Sequence, residues 1–327
     1  MLNYYLRRVL YIIVVFFIMS VIIFFLFKLT PADPVRIYTA DLQQTMRPAE
    51  FEKLRAEVRA FLGLDEHIVI QYFKWMAKTL QGDFGLSIIY RQPVMSVIKA
   101  PMSNTIKLNI ITMILVFAIT IPLGITTAVR KGTVYDNSVQ VITILGLSLP
   151  SFVTSLAAML LFSLILGWLP LTGTYTPGFQ GSSFAFFLDR ARHMVLPVGV
   201  MVFTSLGSLT RYIRVSMIDA LRTDYVRTAR AKGLREKVVV YSHAFRNSLI
   251  PFVTILVSWF LGMFGGSVMI ERIFLWNGMG NLFISAITQF DYAVALALEM
   301  FYVLLALVGN LIIDMAYTVV DPRIRLR

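Results

Sequence analysis

The feature that most restricts the fold of this chain is the length of its uncharged segments. Val9–Phe27 contains no charged residue, and none occurs from Asn137 to Leu188. A helix of about 20 apolar residues crosses the hydrocarbon core of a bilayer. With 57% hydrophobic residues and a mean hydropathy of +0.74, the chain of 327 residues is too apolar for an ordinary soluble domain. The sequence therefore predicts an all-α polytopic membrane protein.

The apolar segments predict six transmembrane helices, which are Val9–Phe27, Leu108–Val129, Ser138–Trp168, Met194–Thr210, Asn247–Ile270 and Ala293–Ile313. The third would be about 46 Å long as one helix, so we expect a break or kink at Leu149-Pro150-Ser151. For the first segment a signal peptide is the alternative, but no small-residue cleavage site follows it.

The charged residues predict the orientation of the helices. The net charge of +12 is carried by basic residues that lie mainly between and beside the apolar segments. This pattern follows the positive-inside rule rather than a nucleic-acid surface, and it places both termini in the cytoplasm. Residues 170–188, rich in Gly, Pro, Ser and Thr, are then an outside loop.

The sequence divides into three regions. Residues 1–29 hold the N-terminus and first span, residues 30–102 form a small extracytoplasmic subdomain, and residues 103–327 form the membrane core. Acidic and basic residues are mixed in the second region, and apolar residues recur there at helical spacing. We therefore expect helices over Pro48–Leu62 and Ile68–Leu80.

No motif of an enzyme is present in the sequence. It lacks a phosphate-binding loop, an H-E-x-x-H zinc motif and a G-x-S-x-G nucleophile elbow. Cysteine is absent, and the three histidines are widely separated. The chain is therefore predicted to be non-catalytic, with no cofactor and no metal of its own.

A few residues inside the predicted spans are candidates for the solute path or for helix packing. Glu299 is the one clearly deep ionisable residue, and a polar contact to a neighbouring helix is favoured over a place on the solute path. Pro150 and Ser151 mark a further possible part of that path. Small residues recur every four positions and predict close helix packing, within this chain or against a second subunit, at Ser258, Gly262 and Gly266.

The inner loop at residues 211–246 is the most basic part of the chain. Within it Asp224 is a suitable N-cap, and Gly233 suits the left-handed residue after a helix end. The helix between them is too short to be stable alone, so it must pack on a neighbour. Topology and lipid headgroup contact explain the charge but not the capped helix.

The segments TARAKGL and HAFRNSLIP in this loop resemble the EAA-type loop of ABC importer permeases. The triplet is Arg227-Thr228-Ala229 and the glycine is Gly233, while Arg246 replaces the usual proline. These departures are similar to the B-type permeases of dipeptide, oligopeptide and nickel importers. The same branch is matched, in order, by Leu29–Pro34, Gly82–Ser87, Leu147–Phe152, Glu271–Phe274 and Asp321–Arg323.

The resemblance implies a type I importer permease fold in a bacterial or archaeal plasma membrane. It implies pairing with a homologous C-type permease, two ATPase subunits that bind ATP and Mg²⁺, and an extracytoplasmic binding protein. Peptides are the expected solute, with nickel complexes, glutathione or oligosaccharides as alternatives. The residues expected to dock on the ATPase are Tyr225, Arg227, Thr228, Ala229, Arg230, Gly233 and Leu234.

Two other classes of membrane protein remain as alternatives. A secondary transporter working alone would be expected to show inverted repeats and coupled intramembrane charges, and neither is evident in the sequence. A membrane enzyme or channel would need a catalytic set or a filter-like motif, and we find neither.

Overall fold

The computed structural model describes residues 2–29, 33–43, 46–61, 63–246 and 252–320. These residues are almost entirely helical, and their one β contact is an isolated antiparallel bridge between Leu86 and Pro93. The helices in chain order are α1 (Leu2–Lys28), α2 (Pro34–Thr39), α3 (Pro48–Phe61), α4 (Ile68–Leu80), α5 (Val94–Val129), α6 (Val134–Ser148), α7 (Ser151–Ala158), α8 (Ser183–Leu221), α9 (Asp224–Ala231), α10 (Glu236–Val238), α11 (Phe252–Gly262), α12 (Val268–Ile273), α13 (Met279–Thr288) and α14 (Tyr292–Val320). A 3₁₀ turn, Ala40–Leu42, follows α2, and π-helical segments continue α7 and α10 over Met159–Ile165 and Val239–Phe245.

Four of the described helices are long and apolar enough to cross a membrane. They contain the predicted first, second, fourth and sixth spans and lie in α1, α5, α8 and α14. The bent pair formed by α6 and by α7 with its π-helical continuation makes a fifth when it is counted as one span. The long apolar segments of the sequence thus become the long helices of the fold.

The predicted break near Pro150 is confirmed. Helix α6 ends at Ser148, α7 begins at Ser151, and the chain bends by 102° between them. Proline has no N–H to donate to the preceding turn, and the residue before it is disfavoured in the helical conformation. Leu149 is accordingly extended, with φ −79° and ψ 127°.

Two predicted boundaries are wrong. The fifth span was expected to run from Asn247 to Ile270, but α11 ends at Gly262, and Asn247 lies outside the described residues. Two further glycines follow at 265 and 266, and Gly266 adopts a φ of +65°, which a helix cannot continue through. The predicted loop at 170–188 also ends early, because the Ser182 hydroxyl accepts the N–H of Ala185 and starts α8.

The two predicted helices of the charged N-terminal region are present. Helix α4 has the expected bounds, and its N-cap His67 accepts the N–H of Val69. Helix α3 begins at Pro48 as expected and runs to Phe61, and Leu62 lies outside the described residues.

The chain separates into two compact units. The first consists mainly of residues 1–103 and 278–311. In its core, α1, α4 and α14 pack together through Phe24, Tyr72 and Met300. In the same unit the buried carboxylate of Asp291 accepts hydrogen bonds from the Ser87 hydroxyl and from the N–H of Ile88. This carboxylate fixes the segment before α5 to the start of α14.

The second unit comprises residues 104–277 among others and is built on α8. Helix α6 packs against α8 with the two backbones almost in contact. A Cβ at Gly207 would overlap the carbonyl oxygen of Thr143, and one at Gly146 would overlap that of Phe203. Only glycine fits at these two positions, since the overlapping groups are main-chain atoms that cannot swing aside.

A matched pair of glycine substitutions on α8 tests this contact. Gly207→Ala should lower the free energy of unfolding by about 1–3 kcal/mol, because the added methyl group forces the helices apart. Gly199→Ala, where a Cβ meets no atom within 4 Å, should raise it by up to about 1 kcal/mol. Thermal unfolding of each purified variant in detergent measures both. Equal stability of the two variants would contradict the close contact.

Candidate docking surface

Helix α9 follows α8 after a link of only two residues, Arg222 and Thr223. The N-cap is Thr223, with φ −76° and ψ 154°, so the prediction of Asp224 as N-cap is wrong by one residue. The Thr223 hydroxyl donates to the carbonyl oxygen of Ala220 and does not cap the helix. Asp224 instead lies in the first turn, where its negative charge favours the positive end of the helix dipole.

One face of α9 is buried within this chain. Val226 and Ala229 are 0% and 5% exposed, and they belong to a cluster with Met217 of α8 and with Val239 and Ala244 of the following π-helical segment. Ala229 is among the residues expected to dock on the ATPase; that stays a prediction, and the structure places its methyl group inside this cluster. Val226 was missed, although its spacing of three from Ala229 indicates a shared helix face.

The other side chains of α9, and Leu234 after the turn that follows it, are exposed and include apolar and basic groups. Tyr225 and Leu234 are each 41% exposed, which is high for residues of this size. Arg227 lies 3.4 Å from the Asp224 carboxylate, and its side chain is 72% exposed. The hydroxyl of Thr228, also exposed, donates to the carbonyl oxygen of Asp224. Aromatic and arginine side chains are enriched at protein interfaces, so these exposed residues form a candidate docking surface.

Arg230 pairs with Glu236 instead of extending outward. Its Nε and Nη2 atoms donate to the two carboxylate oxygens at 3.1 and 2.6 Å. The hydrogen bonds from Arg230 lower the pKa of Glu236, and those same bonds raise the pKa of Arg230. The prediction that Arg230 docks on an ATPase subunit therefore requires this pair to open.

The pair contributes little stability, because both side chains are roughly half exposed. Such a pair is worth about 0–1 kcal/mol in water. Since the folded-state pKa of Glu236 is depressed, the contribution is present above the unfolded-state pKa and is lost as pH falls through the folded-state value. The function of the pair is geometric, because it joins the end of α9 to α10 across the turn at Gly233.

Gly233 has the predicted left-handed conformation, with φ +76°. Its N–H donates to the carbonyl oxygen of Arg230, and the N–H of Leu234 donates to the carbonyl oxygen of Ala229 at 3.4 Å. These bonds satisfy carbonyl groups that a helix end leaves free. A Cβ at Gly233 would meet no atom within 4 Å, so a side chain there is strained but not blocked by this chain.

The proposed packing stripe is not a continuous helical surface. Ser258 and Gly262 are exposed on α11, but Gly266 lies beyond the end of that helix. A Cβ at Gly262 would meet no atom within 4 Å, so no close approach occurs there among the described residues. Packing on a second subunit is the alternative that stays open for Ser258 and Gly262.

Pro150 and Ser151 occupy the start of α7. Pro150 is exposed and extended, with φ −56° and ψ 137°, and its carbonyl oxygen accepts the N–H of Val153. The carbonyl oxygen of Ser151 accepts the hydroxyl of Ser155. Both residues thus shape a helix start next to the bend, and no described feature assigns a solute to them.

Glu299 belongs to the first unit and is half-buried on α14. Among the described residues of that unit, its carboxylate has no hydrogen-bond or ion-pair partner. The polar contact to a neighbouring helix that the sequence favours stays a prediction.

Comparison with known families identifies the kind of protein to which this surface belongs. Residues 120–326 match the family described as the inner membrane component of binding-protein-dependent transport systems, and residues 1–109 match the N-terminal family of the same components. The chain belongs to this family. It is a multi-pass permease subunit of the plasma membrane, and the resemblance drawn from the inner loop is confirmed.

Relatives of this permease subunit extend over its full length. The oligopeptide transport system permease protein AppB of Bacillus subtilis is 36% identical, over 98% of each chain. The glutathione transport system permease protein GsiC of Salmonella paratyphi A is 34% identical, over 99% of each. A solved chain of the MetNI methionine ABC transporter, in an inward facing conformation, aligns with a TM-score of 0.49 and 15% identity over 68% of this chain and 97% of that one.

Two glycine substitutions in the permease subunit, compared with each other, distinguish the effect of backbone strain from the loss of ATPase docking. Gly233→Asp should abolish ATPase docking but leave the chain inserted, because it adds an anionic group to the surface and strains a left-handed residue. Gly178→Asp is the matched control, since Gly178 has φ +74° and equally open surroundings in a loop far from α9 in sequence. Co-purification of ATPase subunits is the measurement. Equal ATPase recovery with both variants would refute the assignment.

Proposed function

We propose that this permease subunit belongs to an ATP-driven importer that moves short peptides across the plasma membrane by alternating access. The observation that carries the solute class is the full-length similarity to a permease named for oligopeptide transport. The relative named for glutathione transport supports the same class, because glutathione is itself a small peptide. Peptides are therefore favoured over nickel complexes and oligosaccharides.

The partners follow from the exposed face of α9 and from the family. Tyr225 on α9 and Leu234 just after it present apolar surface, Arg227 on α9 presents a charge, and the buried side of α9 is already packed on its own chain. An ATPase subunit with an apolar groove and an acidic rim fits this face. A homologous C-type permease, a second ATPase subunit and an extracytoplasmic binding protein complete the importer.

The transport cycle requires ATP binding by the ATPase subunits and solute release from the permease pair. ATP closes the two ATPase subunits on each other, and the docked α9 helices follow them. The permease pair then changes from inward-facing to outward-facing. Each ATPase supplies the chemistry, and this chain supplies the docking helix and the membrane path.

Reconstitution tests the proposed solute class directly. The complete complex in proteoliposomes, with its binding protein and the peptides outside and ATP inside, should accumulate radiolabelled peptides of about two to six residues. Nickel complexes and oligosaccharides serve as competitors in the same assay. Preference for either competitor over peptides would overturn the solute class. Uptake driven by an ion gradient without ATP would overturn the importer itself.

The proposed orientation places residues 30–102 outside and both termini in the cytoplasm. Because the chain contains no cysteine, single cysteines can be introduced without background. Glu57→Cys on α3, an exposed position, should react with a membrane-impermeant maleimide added to intact cells. Ala231→Cys on α9, equally exposed, should react only after the membrane is opened. The reverse result would invert the topology.

A further inference from the structure

Helices α6 and α8 are joined by a buried ion pair that the proposed docking role does not use. Nε and Nη2 of Arg214 donate to the two carboxylate oxygens of Asp136 at 2.7 and 2.6 Å. The side chains are 2% exposed for Asp136 and 18% for Arg214. A bidentate arginine–carboxylate pair fixes distance and orientation together, which a lysine or an apolar contact cannot do.

The same carboxylate orders the start of α6. Asp136 Oδ2 also accepts the N–H of Gly132, which has φ +81°, and the N–H of Asp136 donates to the hydroxyl of the N-cap Thr133. The Tyr135 hydroxyl lies 2.9 Å from that of Thr126 on α5. Asp136 therefore holds the turn between α5 and α6 to α8.

The ion pair is one end of a longer close contact between the two helices. On α8 the contact runs through Phe203, Gly207 and Arg214, which lie on one helix face because they are four and seven residues apart. Their partners on α6 lie in antiparallel register. From Arg214 to Phe203 the contact is about 16 Å long at 1.5 Å per residue. It ends at Gly146, just before the bend at Leu149 and Pro150.

Helix α9 is fixed to the C-terminal end of α8, beyond Arg214. The N–H groups of Arg222 and Thr223 donate to the carbonyl oxygens of Asp219 and Ala220, so the link between the helices is itself hydrogen-bonded. Val226 then packs in the same cluster as Met217 of α8. A displacement of α9 therefore cannot be absorbed at this link without breaking these contacts.

We propose that α6, α8 and α9 move as one rigid body and that the Asp136–Arg214 ion pair holds α6 to α8 within it. A displacement of α9 would then pass through α8 and this ion pair to α6. It would reach the bend at Leu149–Pro150, where the chain turns by 102° into α7. Asp136 and Arg214 are thus positioning residues for transport, not docking residues and not solute ligands. This inference rests on the proposed function, since it assumes that α9 is moved by an ATPase.

Removing one charge leaves the other buried and unpaired, which by itself can unfold the chain. The decisive variant is therefore the double substitution Asp136→Asn with Arg214→Gln, which removes both charges and leaves a neutral amide side chain at each position. Arg214→Lys is the companion variant, because it keeps the charge but loses the fork. Glu52→Gln, in the exposed pair with Arg55, is the matched control for loss of an ion pair.

The complete complex in proteoliposomes gives the readout, which is peptide transported per ATP hydrolysed. In the double variant this ratio should fall by about tenfold, within the range of coupling between distant sites, while ATPase recovery and hydrolysis rate stay near wild type. Arg214→Lys should give an intermediate ratio, and Glu52→Gln the wild-type ratio. A wild-type ratio in the double variant would overturn the proposal. Loss of ATPase recovery in parallel with transport would also overturn it, since the pair would then be merely structural.

A distance measurement tests the single body independently of the solute. Spin labels at Val141→Cys on α6 and Val215→Cys on α8, both exposed, should keep the same separation with and without trapped ATP. In the double variant the distribution should broaden. A wild-type separation that changes with ATP would refute the inference even where peptide uptake is normal. Failure of peptide uptake with an unchanged separation would refute only the proposed solute.

Discussion

The packing of Val226 and Ala229 against the rest of their own chain is the interaction on which the proposed function depends. An eight-residue helix is not stable by itself in water, so α9 exists only because this apolar face is covered. The cover comes from two directions, from Met217 at the end of α8 and from Val239 and Ala244 beyond the turn. The helix is thereby held on a scaffold before any partner arrives.

This anchoring divides the side chains of α9 between two tasks. The buried Val226 and Ala229 fix the helix, and the exposed Tyr225 and Arg227, with Leu234 just after the helix, are left free of that task. Arg230 contributes to neither face, because its guanidinium group closes the turn at Gly233 through Glu236. A short helix that is packed on its own chain on one side and exposed on the other can transmit force from a docked subunit, because little of that force is lost in local unfolding.

Sequence reasoning succeeded where a local property decides the structure. The long helices follow from uncharged apolar segments, the bend follows from Pro150, and the left-handed residue after α9 follows from Gly233. Each of these depends on a few adjacent residues and on the solvent around them. The family of transport proteins could likewise be recognised from an ordered set of short motifs.

The same reasoning failed where distant residues decide the structure. The burial of Ala229 could not be foreseen, because nothing in its neighbourhood along the chain shows that Val239 and Ala244 cover it from beyond the turn. The end of α11 at Gly262 was placed too late, since hydropathy continues past a glycine cluster that stops the helix. The pair of Asp136 and Arg214 joins residues 78 positions apart, and no spacing rule connects them.

The most direct test of the central claim is the reactivity of one cysteine at position 227, on the outer face of α9. In Arg227→Cys permease, maleimide labelling should be fast in stripped membranes and strongly slowed when ATPase subunits are bound. Arg59→Cys on α3, where the arginine side chain is 57% exposed, should label at the same rate in both conditions. Slowing at position 227 alone is the predicted result. An unchanged labelling rate at position 227, in membranes that demonstrably hold the ATPase, would show that this face of α9 is not the docking surface.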